Sequence, residues 1–205
     1  MRQGRQVFIY RSFPSMSDYK FCPMCANPLS KVVRREDSGL TERNACTLCA
    51  WTHWNNPTPV LAAIVEHQGK ILLARNAAWG PHRFALITGF MEAAESPQEG
   101  IEREVKEETN LDVTSLELIG VYDFQRRNQV LIVYHACTKE SGQIKLSPEL
   151  LDYRLFEFKD LICWPAGTGY GLADWLKSKS ITPRFMEWEE IEKINAEYVN
   201  NATRS

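Results

Sequence analysis

Ser96-Pro97-Gln98-Glu99-Gly100-Ile101-Glu102-Arg103-Glu104-Val105-Lys106-Glu107-Glu108-Thr109-Asn110 carries a full set of helix-start signals. Ser96 suits the N-cap, Pro97 the first helical position, and Glu99 falls three residues after the cap, where its carboxylate can reach back. The spacing predicts a helix to about Thr109, closed by Asn110 in a left-handed conformation. At about 100° per residue, Glu104, Glu107 and Glu108 share one narrow face, while Ile101 and Val105 occupy the neighbouring face, which must pack on a sheet. Each adjacent pair of like charges costs roughly 0.2 to 0.5 kcal/mol, and no lysine on that face offsets it. A bound divalent cation would reverse the sign. Clustered carboxylates suit Mg²⁺, above all when a substrate phosphate completes its shell. The competing reading is a solvated charged face, which describes Glu99, Glu102 and Lys106 well.

Strand signals surround the helix. Val60 to Glu66 and Lys70 to Arg75 flank His67-Gln68-Gly69 and predict a β-hairpin. Leu116 to Phe124 and Gln129 to Thr138 predict a second strand pair, and Tyr153 to Phe158 a further strand. Two more helices are expected, from Tyr170 to Lys179 and from Glu187 to Val199, the second amphipathic through Ile191, Ile194 and Tyr198. Strands interleaved with helices indicate the α/β (α+β) class.

The 205 residues contain 24 Lys+Arg against 26 Asp+Glu, a formal charge of −2 that gives no electrostatic reason to expect nucleic acid or an anionic membrane. No apolar run is long enough to span a bilayer, so membrane insertion is excluded from the reading. Of six cysteines, four form two close pairs, Cys22/Cys25 and Cys46/Cys49, separated by 20 residues. That is the two-knuckle spacing of a zinc ribbon, with four thiolates closing a structural Zn²⁺ site; a redox CxxC is the weaker reading. His53 follows Cys49 too closely to replace a ligand. With no secretory signal peptide and no disulfide framework, a reducing, cytoplasmic setting is expected.

The organisation expected is a disordered tail over residues 1–19, a zinc ribbon over 20–56, a catalytic domain over 57–180 and a helical extension over 181–205. The turn-rich Asn55-Asn56-Pro57-Thr58-Pro59 marks the second boundary. Arg- and Ser-rich residues 1–19 also suit an organelle transit peptide, a lesser alternative, and Met16 is a further candidate start.

The acidic helix sits inside a longer pattern: Gly89, five residues, Glu95, seven residues, Arg103-Glu104-Val105-Lys106-Glu107-Glu108, one residue, Asn110-Leu111. This resembles the Nudix box, Gx5Ex7REUxEExGU with U aliphatic, departing only where Asn110 replaces glycine. Asparagine tolerates positive φ next best, so the cap is expected to survive. The resemblance implies a Nudix α/β/α sandwich around a mixed sheet and Mg²⁺- or Mn²⁺-dependent cleavage of a nucleoside diphosphate linked to another group. It also implies that Glu104, Glu107 and Glu108 bind the metal and that Gly89 contributes its carbonyl or a tight turn. Glu95 would brace the loop and Arg103 orient the glutamates. Glu149 resembles the downstream glutamate that many members use as an extra ligand or base; an ordinary loop acid is the alternative.

A zinc ribbon ahead of the box is similar to two groups, the NADH pyrophosphatases and the zinc-ribbon FAD and ADP-ribose pyrophosphatases. Thr88-Gly89-Phe90-Met91-Glu92 looks like the AGFVE of the first group. Their SQPWPFPxS motif is absent, the corresponding stretch reading Gly120-Val121-Tyr122-Asp123-Phe124-Gln125-Arg126-Arg127. This favours the second group. A nucleotide ring needs an aromatic slot, for which Phe84, Phe90, Tyr122 and Phe124 are candidates, and Arg126 or Arg127 could reach a diphosphate. Leu161 to Gly171 is expected to be a flexible, glycine-rich loop. The expected partner is a small nucleotide such as FAD, ADP-ribose or NADH. Nucleic acid, bound through the ribbon and Lys31, Arg34 and Arg35 or presented as an RNA cap, is the disfavoured alternative. The last helix could also pack on a second copy, giving a homodimer.

Overall fold

The computed structural model describes residues 19–37, 39–77, 83–187 and 190, and these divide into two compact units. One runs to Pro57 and includes Arg126–Asn128; the other takes Thr58–Gln125 and the residues from Gln129 onward. The expected tail lies outside the described residues up to 18. So does the helix expected from 187 to 199, apart from Glu187 and Glu190.

The first unit is a small antiparallel sheet of β1 (Ser30–Glu36), β2 (Gly39–Ala45) and β3 (Thr52–His53) in the order β1-β2-β3. Among its described residues only Cys22, Ala45, Cys46 and Thr52 are buried. So little apolar burial cannot offset the chain entropy lost on folding, which leaves the work to the cysteines.

The second unit is built on β4 (Thr58–His67) and β5 (Lys70–Asn76), joined at Gln68 and Gly69, whose φ values of 53° and 71° are those of a two-residue hairpin turn. β6 (Ile87–Phe90), α1 (Pro97–Thr109), β7 (Val113–Phe124), β8 (Gln129–Thr138), β9 (Leu150–Phe156), β10 (Ile162–Cys163), α2 (Thr168–Ser178) and β11 (Arg184–Phe185) follow. The sheet runs β7-β8-β4-β5-β9, with β6 antiparallel to the first half of β4 and β8 parallel to β4, hence mixed.

Side chains alternate across a strand, and β4 shows why its apolar run is continuous. Leu61, Ala63 and Val65 pack with Ile101 and Val105 of α1, whereas Ala62 and Ile64 pack with Leu172, Trp175 and Leu176 of α2. A strand covered on both faces needs apolar residues at every position. The result is the α/β/α sandwich, with α1 and α2 on opposite faces.

Three local expectations change. The strand expected from Tyr153 to Phe158 begins at Leu150 and ends at Phe156. The expected loop from Leu161 to Gly171 contains β10 and the first turn of α2. Its glycines serve close packing rather than mobility: a Cβ on Gly169 would lie 1.9 Å from the Trp164 carbonyl oxygen. Arg184–Phe185, placed in a helical extension, instead pairs in parallel with β10.

Candidate active site

α1 begins and ends as its residues dictate. The Ser96 hydroxyl accepts from the Glu99 N–H at 3.2 Å and the Glu99 carboxylate accepts from the Ser96 N–H at 2.8 Å, a reciprocal capping box. Asn110 takes φ 63° and its N–H donates to the Lys106 carbonyl at 2.8 Å, so asparagine does replace glycine at the left-handed cap.

β6 lies against this helix through Gly89. A Cβ there would sit 1.8 Å from Glu104 Cδ, so only glycine leaves room for that carboxylate. Gly89 is in a strand, paired with Leu61, and not in a tight turn. Gly100 works the same way on the helix itself: its Cβ would fall 2.5 Å from both Glu95 Oε1 and Leu61 Cδ1.

Arg103 organises the acids. Its Nε and Nη2 donate to the two Glu95 oxygens at 3.1 and 3.0 Å, its Nη1 to Glu104 at 2.8 Å and Glu107 at 3.1 Å, and its Nη2 also to the Phe90 carbonyl at 3.2 Å. All five guanidinium protons are used. Glu95 also accepts from the Glu92 N–H at 2.6 Å, tying the loop before the helix to the arginine. The arginine, with help from that N–H, holds the Glu95 pKa below its ordinary value.

The three glutamates differ in setting. Glu104 is only 13% exposed and burial raises its pKa against the pull of Arg103. Glu107 reaches solvent at 61% exposure. Glu108 has no basic partner among the described residues; burial, then the charges of Glu104, Glu149 and Glu107, push its pKa up to about 7. Glu108 and the exposed Glu149 line one small pocket with Asn76 and Thr88. Glu149 is thus brought to the acids although 40 residues lie between it and Glu108.

The aromatic candidates disperse. Phe84 and Tyr122 pack against the α2-side core, Phe84 beneath Arg154 at 4.5 Å and Tyr122 donating its hydroxyl to Asp174 at 3.0 Å. Phe124 lies beside Gly167 at the start of α2. Phe90 stays by the acids, 59% exposed, with its carbonyl on Arg103. Arg126 and Arg127 lie in an exposed 3-10 turn.

In the first unit the four cysteine sulfurs gather, with Cys22–Cys49, Cys25–Cys46 and Cys25–Cys49 each at 3.5 Å. A tetrahedron with Zn–S near 2.3 Å has edges of about 3.8 Å, so the cluster could hold zinc with a few tenths of an ångström of expansion. Both knuckles aim an N–H at the leading sulfur, Met24 at Cys22 and Cys49 at Cys46. The Cys49 N–H is the main influence lowering the Cys46 thiol to about 7, whereas Cys49, despite the Trp51 N–H, is pushed up to about 12 by the crowded Cys22 and Cys25 sulfurs. Ala26 and Ala50, each following a knuckle's second cysteine, take φ 57° and 60°. His53 stacks on Trp51 and is not in the cluster.

A NUDIX domain family model matches residues 55–177. The chain belongs to the NUDIX family. At its N-terminal side it carries a zinc-ribbon-like region built on the four clustered cysteines. Among solved structures it resembles a NUDIX hydrolase from Nitrosomonas europaea, 28% identical with TM-score 0.65, over 82% of this chain and 97% of that one. An ADP-ribose pyrophosphatase from Streptococcus suis shares the fold at 21% identity and TM-score 0.50, over 64% of this chain and all of that one. Among curated proteins, the NAD-capped RNA hydrolase NudC of Pseudomonas putida (strain W619) is 27% identical over 73% of this chain and 52% of its own length. The chain therefore spans about half the length of the curated relatives it matches. No helix among the described residues is long and apolar enough to cross a membrane.

The sequence reading of this Nudix site missed Gly100, Asn76 and Thr88. Gly100 did carry a signal: glycine inside an otherwise strongly capped helix costs about 1 kcal/mol, so a packing reason was implied. Asn76 and Thr88 carried none, because only the sheet pairing brings their strands to Glu108.

Proposed function

We propose that this Nudix hydrolase cleaves, with Mg²⁺ or Mn²⁺, the diphosphate of a dinucleotide or nucleotide sugar of the FAD, ADP-ribose or NADH type. The observation that carries it is the division of labour around Arg103. The arginine spends its charge on Glu95, Glu104 and Glu107, while Glu108 is left enclosed beside Glu149, without a basic partner among the described residues. One arginine shared by three acids, with Glu108 and Glu149 beside them, leaves an excess of carboxylate that fits a hard divalent ion and not a soft one.

Glu104, Glu107 and Glu108 would hold that ion. When bound it neutralises pyrophosphate oxygens and acidifies a coordinated water. The chain's own part is positional. Arg103, fixed by Glu95 and the Phe90 carbonyl, sets the angle of Glu104 and Glu107. Glu149, exposed and lining the same pocket as Glu108, would serve as the general base or as a further ligand. Phe90, whose carbonyl accepts from Arg103 and whose side chain is exposed, would offer a face for the nucleotide base.

A second reading is hydrolysis of a nucleotide cap on RNA, which the NudC relatives' name supports. Turnover of free FAD, ADP-ribose and NADH beside a short RNA carrying a 5′ dinucleotide cap, with Mg²⁺ and with Mn²⁺, tests both. Product nucleoside monophosphate from the free dinucleotides supports the first reading; release from capped RNA alone supports the second. Inactivity on the whole panel refutes both.

A further inference from the structure

On the sheet face covered by α2, three strands bring together four side chains with no part in the Nudix site. Glu66 of β4 and Cys137 of β8 are register partners across the parallel pair, and His135 precedes Cys137 by two, on the same face. Glu117 of β7 is the register partner of His135. Nothing in sequence spacing links them.

Their geometry selects among chemistries. The Glu66 carboxylate lies 2.8 Å from His135 Nε2, and the Cys137 sulfur 3.9 Å from the same nitrogen. In a nucleophilic relay the acid and the thiol would take opposite ring nitrogens, the acid orienting and the base deprotonating. Here both converge on Nε2, leaving Nδ1 to Glu117 at 3.9 Å. Oxygen, nitrogen and sulfur around one point, with a carboxylate behind the imidazole, is the pattern of a metal ligand set with its supporting acid. One donor atom from each of Glu66, His135 and Cys137 lies within 4.8 Å of the others.

We infer that Glu66, His135 and Cys137 bind a borderline divalent transition ion such as Zn²⁺, with Glu117 steadying the imidazole. Mixed N, S and O donors exclude Mg²⁺ in favour of Zn²⁺ or its neighbours. With Zn–N and Zn–O near 2.1 Å and Zn–S near 2.3 Å, tetrahedral edges are about 3.4 Å for N–O and 3.6 Å for N–S. The present 2.8 and 3.9 Å bracket those values, so shifts on the order of half an ångström suffice. The ion takes the place of the proton shared by Glu66 and His135. His135 is only 7% exposed and packs on buried Trp175 at 5.1 Å between ring centroids, which limits its rotation. Among the described residues neither glutamate pairs with lysine or arginine. Three protein ligands leave a fourth position for water.

The test uses the full chain with zinc at its four paired cysteines and excess Mg²⁺ present to occupy the helix acids. Wild type should hold one zinc per chain more than Cys137→Ser or His135→Gln by elemental analysis. Added Co²⁺ should give a thiolate-to-metal absorption band in wild type that Cys137→Ser lacks. Glu117→Gln should weaken Co²⁺ binding about 10-fold, and His135→Gln about 100-fold or more. Cys137 is partly exposed, so its serine variant should keep the fold, checked by circular dichroism and melting. Equal zinc content and an unchanged cobalt spectrum in a folded Cys137→Ser protein would overturn the site.

Discussion

Glu108→Gln should make the metal-free protein more stable while ending its turnover. In the metal-free fold Glu108 is enclosed beside Glu104, Glu149 and Glu107, and its pKa rises from 4.5 to about 7. Below pH 4.5 the carboxyl is neutral folded and unfolded, and contributes no difference. Between 4.5 and about 7 the native state keeps a proton the unfolded chain has lost, so stability falls as pH rises through that window. Above it the penalty is constant, on the order of 3 kcal/mol by linkage and about 2 kcal/mol after allowing for solvent screening at a pocket wall. Glutamine keeps the shape and removes the charge. For a chain of this size, about 2 kcal/mol corresponds to roughly 4–8 °C. Melting with chelator at pH 8 and pH 5 should show that gain at pH 8 and about a quarter of it at pH 5. Mg²⁺ should raise the wild-type melting temperature and leave the variant's nearly unchanged. An unchanged or lower melting temperature at pH 8, or an equal gain at both pH values, would refute the account of Glu108 as an enclosed, unpaired carboxylate.

Arg103→Lys keeps the charge but cannot make the fork to Glu95 together with the Phe90 carbonyl, so kcat should fall about 10- to 100-fold with little change in melting; steady-state kinetics checks this. Gly100→Ala should destabilise the fold by about 1–3 kcal/mol, despite alanine's better helix propensity, because its Cβ meets Glu95 and Leu61. A higher melting temperature with unchanged kcat would contradict that contact. Ala50→Gly should strengthen the cysteine-held sheet by roughly 1–2 kcal/mol, since alanine at φ 60° pays for a left-handed conformation; resistance of zinc to a competing chelator measures it. If the four cysteines hold zinc, its removal by a chelator should melt the sheet around Trp51 and Trp54, read by near-ultraviolet circular dichroism.

Much of the acid site was legible because it is local. A helix repeats every 3.6 residues, so the relation of Glu104, Glu107 and Glu108, the Ser96 cap and the Asn110 stop follow from neighbours in the chain. Hydrogen bonding between Arg103 and Glu107 is likewise an i, i+4 matter. The aromatic candidates were not legible in this way. Phe84 and Tyr122 are near the box in sequence, yet the sheet places them on its α2 face, because a strand's side chains alternate and α1 covers the other face. The glycines of residues 161–171 looked like a loop's, but what they permit is close approach of α2 to Trp164 and Val133.

The amino-acid sequence by itself determined the Nudix helix, its carboxylate face and the two cysteine knuckles, since each is written in residues that lie close together along one stretch of chain. Only the tertiary structure decided that Gly89 must lack a side chain, that Glu149 lines the same pocket as Glu108, and that Glu66, His135, Cys137 and Glu117 meet. Those relations depend on which strands are neighbours, and strand order is set by burying two faces of one sheet at once, a property of the whole second unit and of no single segment.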